Sequence, residues 1–252
     1  MTPVFLDNDL ALLKRLQDFL SRQTGREVQL VQRRTYEEIT SLLISGQLTA
    51  AWICGFPYTA YSEQLAVLAV PLWRGRPLYQ SYLIVSSDRS AKSLEDLKRD
   101  LHAFSDPNSN SGYLVTLADL AKMRQKPEDF FRKTFFTYSH RNVVRAVASG
   151  LAESGSVDGY VWEVISKIEP ELAQRTKVIA RSEWLGFPPV ACLKHLRSRP
   201  ETQAVERALL NMQLDPDGAE VLRLLRLDGF VTAPPKIYEG IARKMREAQS
   251  LG

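Results

Sequence analysis

The sequence predicts an α/β protein of two lobes that close on a cleft and are joined by two hinge crossings. Three observations carry this expectation. A strand–helix alternation runs along the chain twice, once to about residue 84 and again from about 90 to 183. The tail that follows is mainly helical and lacks strands enough for its own sheet, so it is expected to return to the first lobe. At 252 residues, 44% hydrophobic and 25% charged, the chain can bury two modest cores. The expected organisation is therefore lobe 1 from residues 1–85 and 185–252, and lobe 2 from residues 86–184. The crossings fall near Ser86 and Arg181, as in a hinged pair.

In the first series, Asn8 or Asp9 can cap a helix on which Leu12, Leu13, Leu16, Phe19 and Leu20 recur at helical spacing. Gly25 ends it, and residues 28–32 alternate like a strand. Residues 36–45 are again helical, with Ile39, Leu42 and Leu43 inward and Gly46 as the stop. A short apolar strand, 50–53, runs into Cys54-Gly55-Phe56-Pro57-Tyr58. This order is the grammar of a mostly parallel sheet with covered faces. Strands follow at 65–70 and 81–85, and Ser93-Leu94-Glu95-Asp96 signals a helix start.

The second series has a strand at 102–105, a polar loop at 106–112 and a helix at 113–123. Next come a strand at 136–138, a helix at 143–149 closed by Gly150, and strands at 157–162 and 178–180. After Pro188-Pro189 there is one more strand, 190–193, and then helices around 201–212, 218–225 and 235–249. The chain opens on Met1-Thr2-Pro3-Val4-Phe5-Leu6, almost in mid-strand, which leads us to expect further residues upstream.

Composition removes several function classes. The formal net charge of +4 suits an anionic ligand, but the longest basic clusters are pairs such as Arg33-Arg34, so nucleic acid is not an expected partner. No run approaches the roughly 18 apolar residues that span a bilayer. Cys54 and Cys192 make neither a disulfide framework nor a metal-ligand spacing, and they leave the redox compartment open. The nucleophile-elbow, Walker, zinc-protease and dinucleotide signatures are all missing, and His102, His140 and His195 suggest no triad by spacing. The balance shifts to binding rather than catalysis, with no cofactor and no metal called for.

The most informative stretch is Phe104-Ser105-Asp106-Pro107-Asn108-Ser109-Asn110-Ser111-Gly112-Tyr113-Leu114. A strand end gives way to small hydroxyl and amide residues, a glycine and an apolar helix. Such a loop aims backbone N–H groups at one point, where the helix dipole also favours negative charge. A tetrahedral oxyanion needs several donors, and Ser109, Asn110 and Ser111 supply them without a buried cation. An ordinary capped loop is the plainer alternative. His140, in Tyr138-Ser139-His140-Arg141-Asn142, lies at another strand-to-helix junction and can donate to an anion or simply cap. Cys54 and Tyr58 lie at the end of a predicted parallel strand, where open α/β sheets place ligands. Cys54 fits equally well as a small buried hydrophobe. The alternation of Tyr79-Gln80-Ser81-Tyr82 turns Tyr79 and Ser81 to one side, so Tyr79 can wall a polar pocket together with Tyr58 or pack with it in an aromatic core.

Taken together, these segments resemble the phosphate/phosphite/phosphonate-binding proteins of ABC importers, members of the type II periplasmic binding fold. The resemblance rests on residues 46–58, on the Asp106-Pro107-Asn108-Ser109-Asn110-Ser111-Gly112-Tyr113 loop, and on His140 with the following helix into Val157-Asp158-Gly159-Tyr160. It covers nearly the whole chain. It implies that Ser109, Asn110, Ser111 and His140 hold the phosphonyl oxygens, with Tyr58 and Tyr79 from the first lobe completing the pocket. Two positions depart from the pattern. Asn110 stands where many relatives have Thr, and Gly159-Tyr160-Val161-Trp162-Glu163 stands where aminoalkylphosphonate binders cluster amides and an acid. Trp162 and Glu163 are then the residues expected on the substituent side.

The resulting expectation is an extracytoplasmic substrate-binding protein that captures a phosphonate, phosphite or phosphate between its lobes and hands it to an ABC transporter permease. One alternative keeps the fold as a sensor, of arsenite through Cys54, feeding a sensor kinase. Another is an enzyme built on the same fold.

Overall fold

The computed structural model describes residues 10–250. The strand-like opening at Val4-Phe5-Leu6 and the Asn8 or Asp9 cap lie outside them. The chain divides into two compact units, one built from residues up to 78 with Gly186–Tyr238, the other from Tyr79–Leu185 with residues from 239 onward. This differs from the expected division in two ways. Residues 79–85 belong to the second unit, because Ser81–Ser86 is an inner strand of its sheet. The last helix, Glu239–Gln249, belongs there too, so the chain passes between units three times rather than twice. The reason is electrostatic as well as apolar: Lys244 is buried and its ammonium reaches Asp119 Oδ1 at 3.1 Å and Glu183 Oε1 at 3.6 Å, both in the second unit. A buried ammonium demands such carboxylates.

The first unit holds a four-stranded sheet in the order Ala51–Trp52, Val190–Leu193, Leu65–Leu72, Gly229–Val231, with every neighbouring pair antiparallel. The expected parallel sheet is therefore not the one formed. Residues 28–32 form no strand, for a local reason. The Val28 N–H donates to Ser21 Oγ and the Leu30 N–H to Gln17 Oε1, so side chains of the Leu10–Thr24 helix take two donors a neighbouring strand would need. That helix buries the expected Leu12, Leu13, Leu16, Phe19 and Leu20. The Tyr36–Ile44 helix opens on a capping box, in which Thr35 accepts from the Glu38 N–H and Glu38 accepts from the Thr35 N–H.

The second unit holds a five-stranded mixed sheet in the order Lys133–Phe136, Leu101–Phe104, Ser154–Asp158, Ser81–Ser86, Thr176–Arg181. The first three strands run parallel, while Ser81–Ser86 is antiparallel to both of its neighbours. Several boundaries correct the sequence reading. The Ser93 signal yields only a 3₁₀ turn, Glu95–Leu97, because the Asp96 carboxylate accepts from the Lys92 and Ser93 N–H groups and Arg99 turns left-handed at φ 71°. The strand expected at 157–162 is Ser154–Asp158, and Asp158 instead caps a helix, Gly159–Ile168, by accepting from the Val161 N–H. Trp162 and Glu163 thus ride on a helix. Helices expected at 113 and 143 begin three residues earlier, as Asn110–Leu114 continuing into Val115–Lys122, and as His140–Ala148. Each earlier start draws a predicted site residue into a helix's first turn.

Candidate anion site

The three adjacent parallel strands place the candidate residues. Leu101–Phe104 ends beside Phe136, its register partner, and all three strands lead at their C-terminal ends into a helix. Three helix N-termini, at Asn110, His140 and Gly159, therefore follow neighbouring strands at one edge of the sheet. That is the edge where open α/β sheets collect ligands, and each helix start carries partial positive charge.

The polar loop builds the first of these starts from its own side chains. Asp106 Oδ1 accepts from the Asn108 N–H at 2.7 Å, and the Ser109 N–H donates to the Asp106 carbonyl at 2.9 Å. Ser109, extended at φ −84° and ψ 131°, caps the helix, its Oγ accepting from the Gly112 N–H at 3.0 Å. Because the hydroxyl accepts there, its own proton remains to be donated. The first turn is π-helical, with the Leu114 N–H donating to the Ser109 carbonyl. Such a wide turn is frequent at functional sites.

Neighbouring strands fix this turn in place. Asn110 Nδ2 donates to Tyr79 Oη at 2.8 Å, and Ser81 Oγ donates to the Ser111 carbonyl at 2.6 Å. The Ser105 N–H donates to the Gly112 carbonyl at 3.2 Å. Ser105, Asp106, Ser109, Asn110, Ser111, His140 and Asp158 are all buried. Gly112 is required by closeness: a Cβ there would lie 1.9 Å from Ser105 Oγ and 2.9 Å from His140 Cε1.

His140 opens its helix with a fixed tautomer. Nδ1 accepts the Asp158 N–H at 3.1 Å, so the neutral ring carries its proton on Nε2. Burial pushes the imidazole pKa down to about 3, which keeps it a neutral donor at physiological pH. Burial likewise pushes the Asp158 carboxyl up to about 7, against the lowering effect of the Val161 and Tyr160 N–H groups. The set of hydroxyls, helix-start amides and a neutral imidazole N–H is rich in donors, the chemistry that holds an oxyanion without a cation.

The structure brings Ser109, Asn110, Ser111, His140 and Tyr79 together on the second unit. Tyr79, expected from the first lobe, belongs to this unit, where its hydroxyl receives the Asn110 amide. Trp162 and Glu163 form a different cluster on the same unit. Trp162 Nε1 donates to Thr176 Oγ1 at 3.1 Å, and Glu163 Oε1 accepts from Tyr82 Oη at 3.1 Å. The Arg181 guanidinium lies 4.9 Å above the Tyr82 ring. Cys54 and Tyr58 belong to the first unit. Cys54 is buried at the start of the Gly55–Ala60 helix, and Tyr58 packs on Tyr238 with ring centres 4.6 Å apart. Tyr238 Oη in turn donates to the Phe187 carbonyl. His102, a second buried histidine, is spent on the core. It lies between Ser154 Oγ at 2.8 Å and Ser156 Oγ at 2.9 Å and stacks on Phe131.

Sequence reasoning missed Ser81, Ser105 and Asp158 as parts of this assembly. Ser81 shares the alternation that singled out Tyr79. Ser105 opens the informative polar stretch and Asp158 lies in the last segment of the resemblance, but neither was given a role at the site.

The fold is that of the type II periplasmic binding proteins. It superimposes with a TM-score of 0.88 on a binding protein component of an ABC phosphonate transporter from Pseudomonas aeruginosa, at 22% identity over 99% of this chain and 87% of that one. The TM-score is 0.84 with PhnD1 from Prochlorococcus marinus in complex with methylphosphonate, at 19% identity over 98% and 97% of the two chains. The family model for the ABC transporter, phosphonate, periplasmic substrate-binding protein matches residues 1–238, and the chain belongs to that family. A phosphate-import protein PhnD of Mycolicibacterium smegmatis is 32% identical over 108 residues, which span 40% of this chain and about a third of that relative. Among the described residues, no helix is long and apolar enough to cross a membrane.

Proposed function

We propose that this chain is the extracytoplasmic substrate-binding component of an ABC importer and that it captures a phosphonate, phosphite or phosphate. The observation that carries this reading is the buried π-helical turn at Ser109, Asn110 and Ser111 with the Nε2–H of a neutral His140. In this reading the Ser109 and Ser111 hydroxyls, the first-turn amides and His140 Nε2 donate to the phosphonyl oxygens. Tyr79 holds Asn110 in register for the same contact. Neutral donors suit a carrier, because hydrogen bonds to a charged group contribute about 1.5–3 kcal/mol each without fixing the ligand beside a counter-charge. The ligand is bound and passed on unchanged.

The family membership and the methylphosphonate held by the Prochlorococcus relative support this choice of ligand class. A thermal-shift screen over phosphate, phosphite, methylphosphonate and aminoethylphosphonate tests it. A true ligand at 100 times its Kd stabilises the protein by roughly 2.7 kcal/mol through linkage. If all four anions leave the melting temperature unmoved, the ligand class is wrong.

A further inference from the structure

Ser105 is the first residue after the Leu101–Phe104 strand. It is 1% exposed, and its Oγ has no hydrogen-bond partner among the described residues. Leaving a buried hydroxyl unpaired is unfavourable, so folded proteins rarely keep one without a use. Its position is defined on two sides. The point where a Cβ of Gly112 would stand lies 1.9 Å from Ser105 Oγ and 2.9 Å from His140 Cε1. The hydroxyl therefore sits against the bare glycine of the helix start and beside the ring edge that joins the two nitrogens of His140. Only glycine at 112 leaves it that room.

We propose that the Ser105 hydroxyl is a further contact of the bound oxyanion, donating from beneath Gly112 alongside the Ser109–Ser111 turn and His140. This inference rests on the reading of the site as an oxyanion site. It assigns the unpaired hydroxyl a partner that arrives with the ligand. The same group is a specificity element, because a donor buried in this way favours a ligand that presents an oxygen to it and disfavours one that presents an alkyl group.

Ser105→Ala tests the proposal by calorimetric titration with methylphosphonate, alongside the wild type and with the melting temperature of both ligand-free proteins. The expected result is a ten- to hundredfold loss of affinity, with a ligand-free melting temperature equal to or above that of the wild type. An unpaired hydroxyl contributes nothing to the ligand-free fold, so its removal leaves that fold intact. Unchanged affinity in Ser105→Ala, with the wild type binding normally, overturns the Ser105 assignment and leaves the oxyanion reading standing. A lowered ligand-free melting temperature with unchanged affinity overturns it as well and makes Ser105 a packing residue. A wild type that binds none of methylphosphonate, phosphite and phosphate overturns both the assignment and the reading beneath it.

Discussion

The Ser109–Gly112 turn of the second unit and the Cys54–Tyr58 turn of the first both follow a strand and open a helix, yet they spend burial differently. The second unit buries hydroxyls, an amide, an imidazole and a carboxyl, and ties the turn to Tyr79 and Ser81 through 2.8 Å and 2.6 Å hydrogen bonds. The first unit buries a thiol and packs the Tyr58 ring against Tyr238, while burial raises the Tyr58 phenol's pKa. Burying polar groups costs free energy unless they are paired. A turn that concentrates them is therefore organised for something other than stability, whereas a turn of aromatic rings is stable as it stands. On the proposed reading, anion recognition belongs to the second unit's turn, while the first unit's turn shows packing.

The largest effect that sharpens this contrast is a pH dependence. The Asp158 carboxyl is held neutral up to about pH 7, chiefly by burial, against 3.8 for the unperturbed group. Its folded-state pKa is raised, so its contribution to stability is complete below about pH 4 and is lost as pH rises through about 7. Asp158→Asn keeps an oxygen to accept the Val161 N–H and cannot ionise. The variant should therefore match the wild type near pH 4 and become the more stable by on the order of 3–4 kcal/mol above pH 7. Denaturant unfolding of both proteins across that range checks this, and a difference that does not change with pH contradicts it.

The site itself is the next test. Ser109→Ala and Ser111→Ala should each weaken methylphosphonate binding by about 1.5–3 kcal/mol. Only Ser109→Ala should also lower ligand-free stability, by about 1 kcal/mol, because Ser109 alone caps the helix through the Gly112 N–H. Equal affinities for wild type and variants, measured by calorimetry, would make the loop a capping motif and nothing more.

Much of this was legible in the sequence, and the misses share a cause. The Asp-Pro-Asn-Ser-Asn-Ser-Gly loop and His140 could be placed at helix starts because small polar residues before an apolar helix cap it, as Ser109 does. The periodicity of Leu12 to Leu20 placed the first helix on its core for the same local reason. What failed was long-range or competitive. Residues 28–32 alternate like a strand, but Ser21 and Gln17 take their donors. Residues 157–162 look apolar enough for a strand until Asp158 caps a helix. Lys244 gave no sign of Asp119, far away in sequence, which draws the last helix to the second unit. Ser105 was hidden because its closeness to Gly112, where a Cβ would lie 1.9 Å from its Oγ, appears only in the folded chain.

The smallest expected effect comes from the first unit. Cys54→Ala should keep methylphosphonate affinity within about tenfold, roughly 1.4 kcal/mol, and arsenite should leave the wild-type melting temperature where it is. A thiol captures trivalent arsenic only where it is reachable as thiolate, and Cys54 is 4% exposed. Tight arsenite binding that vanishes in Cys54→Ala would move ligand recognition to the first unit's turn and reverse the contrast.

The most direct test is a crystal structure of the protein with methylphosphonate. The account predicts phosphonyl oxygens within hydrogen-bond distance of the Ser109 and Ser111 hydroxyls and of His140 Nε2, with the His140 Nδ1 bond to the Asp158 N–H unbroken. Methylphosphonate bound away from the Ser109–Gly112 turn, or His140 turned from Asp158 to meet it, would contradict the account.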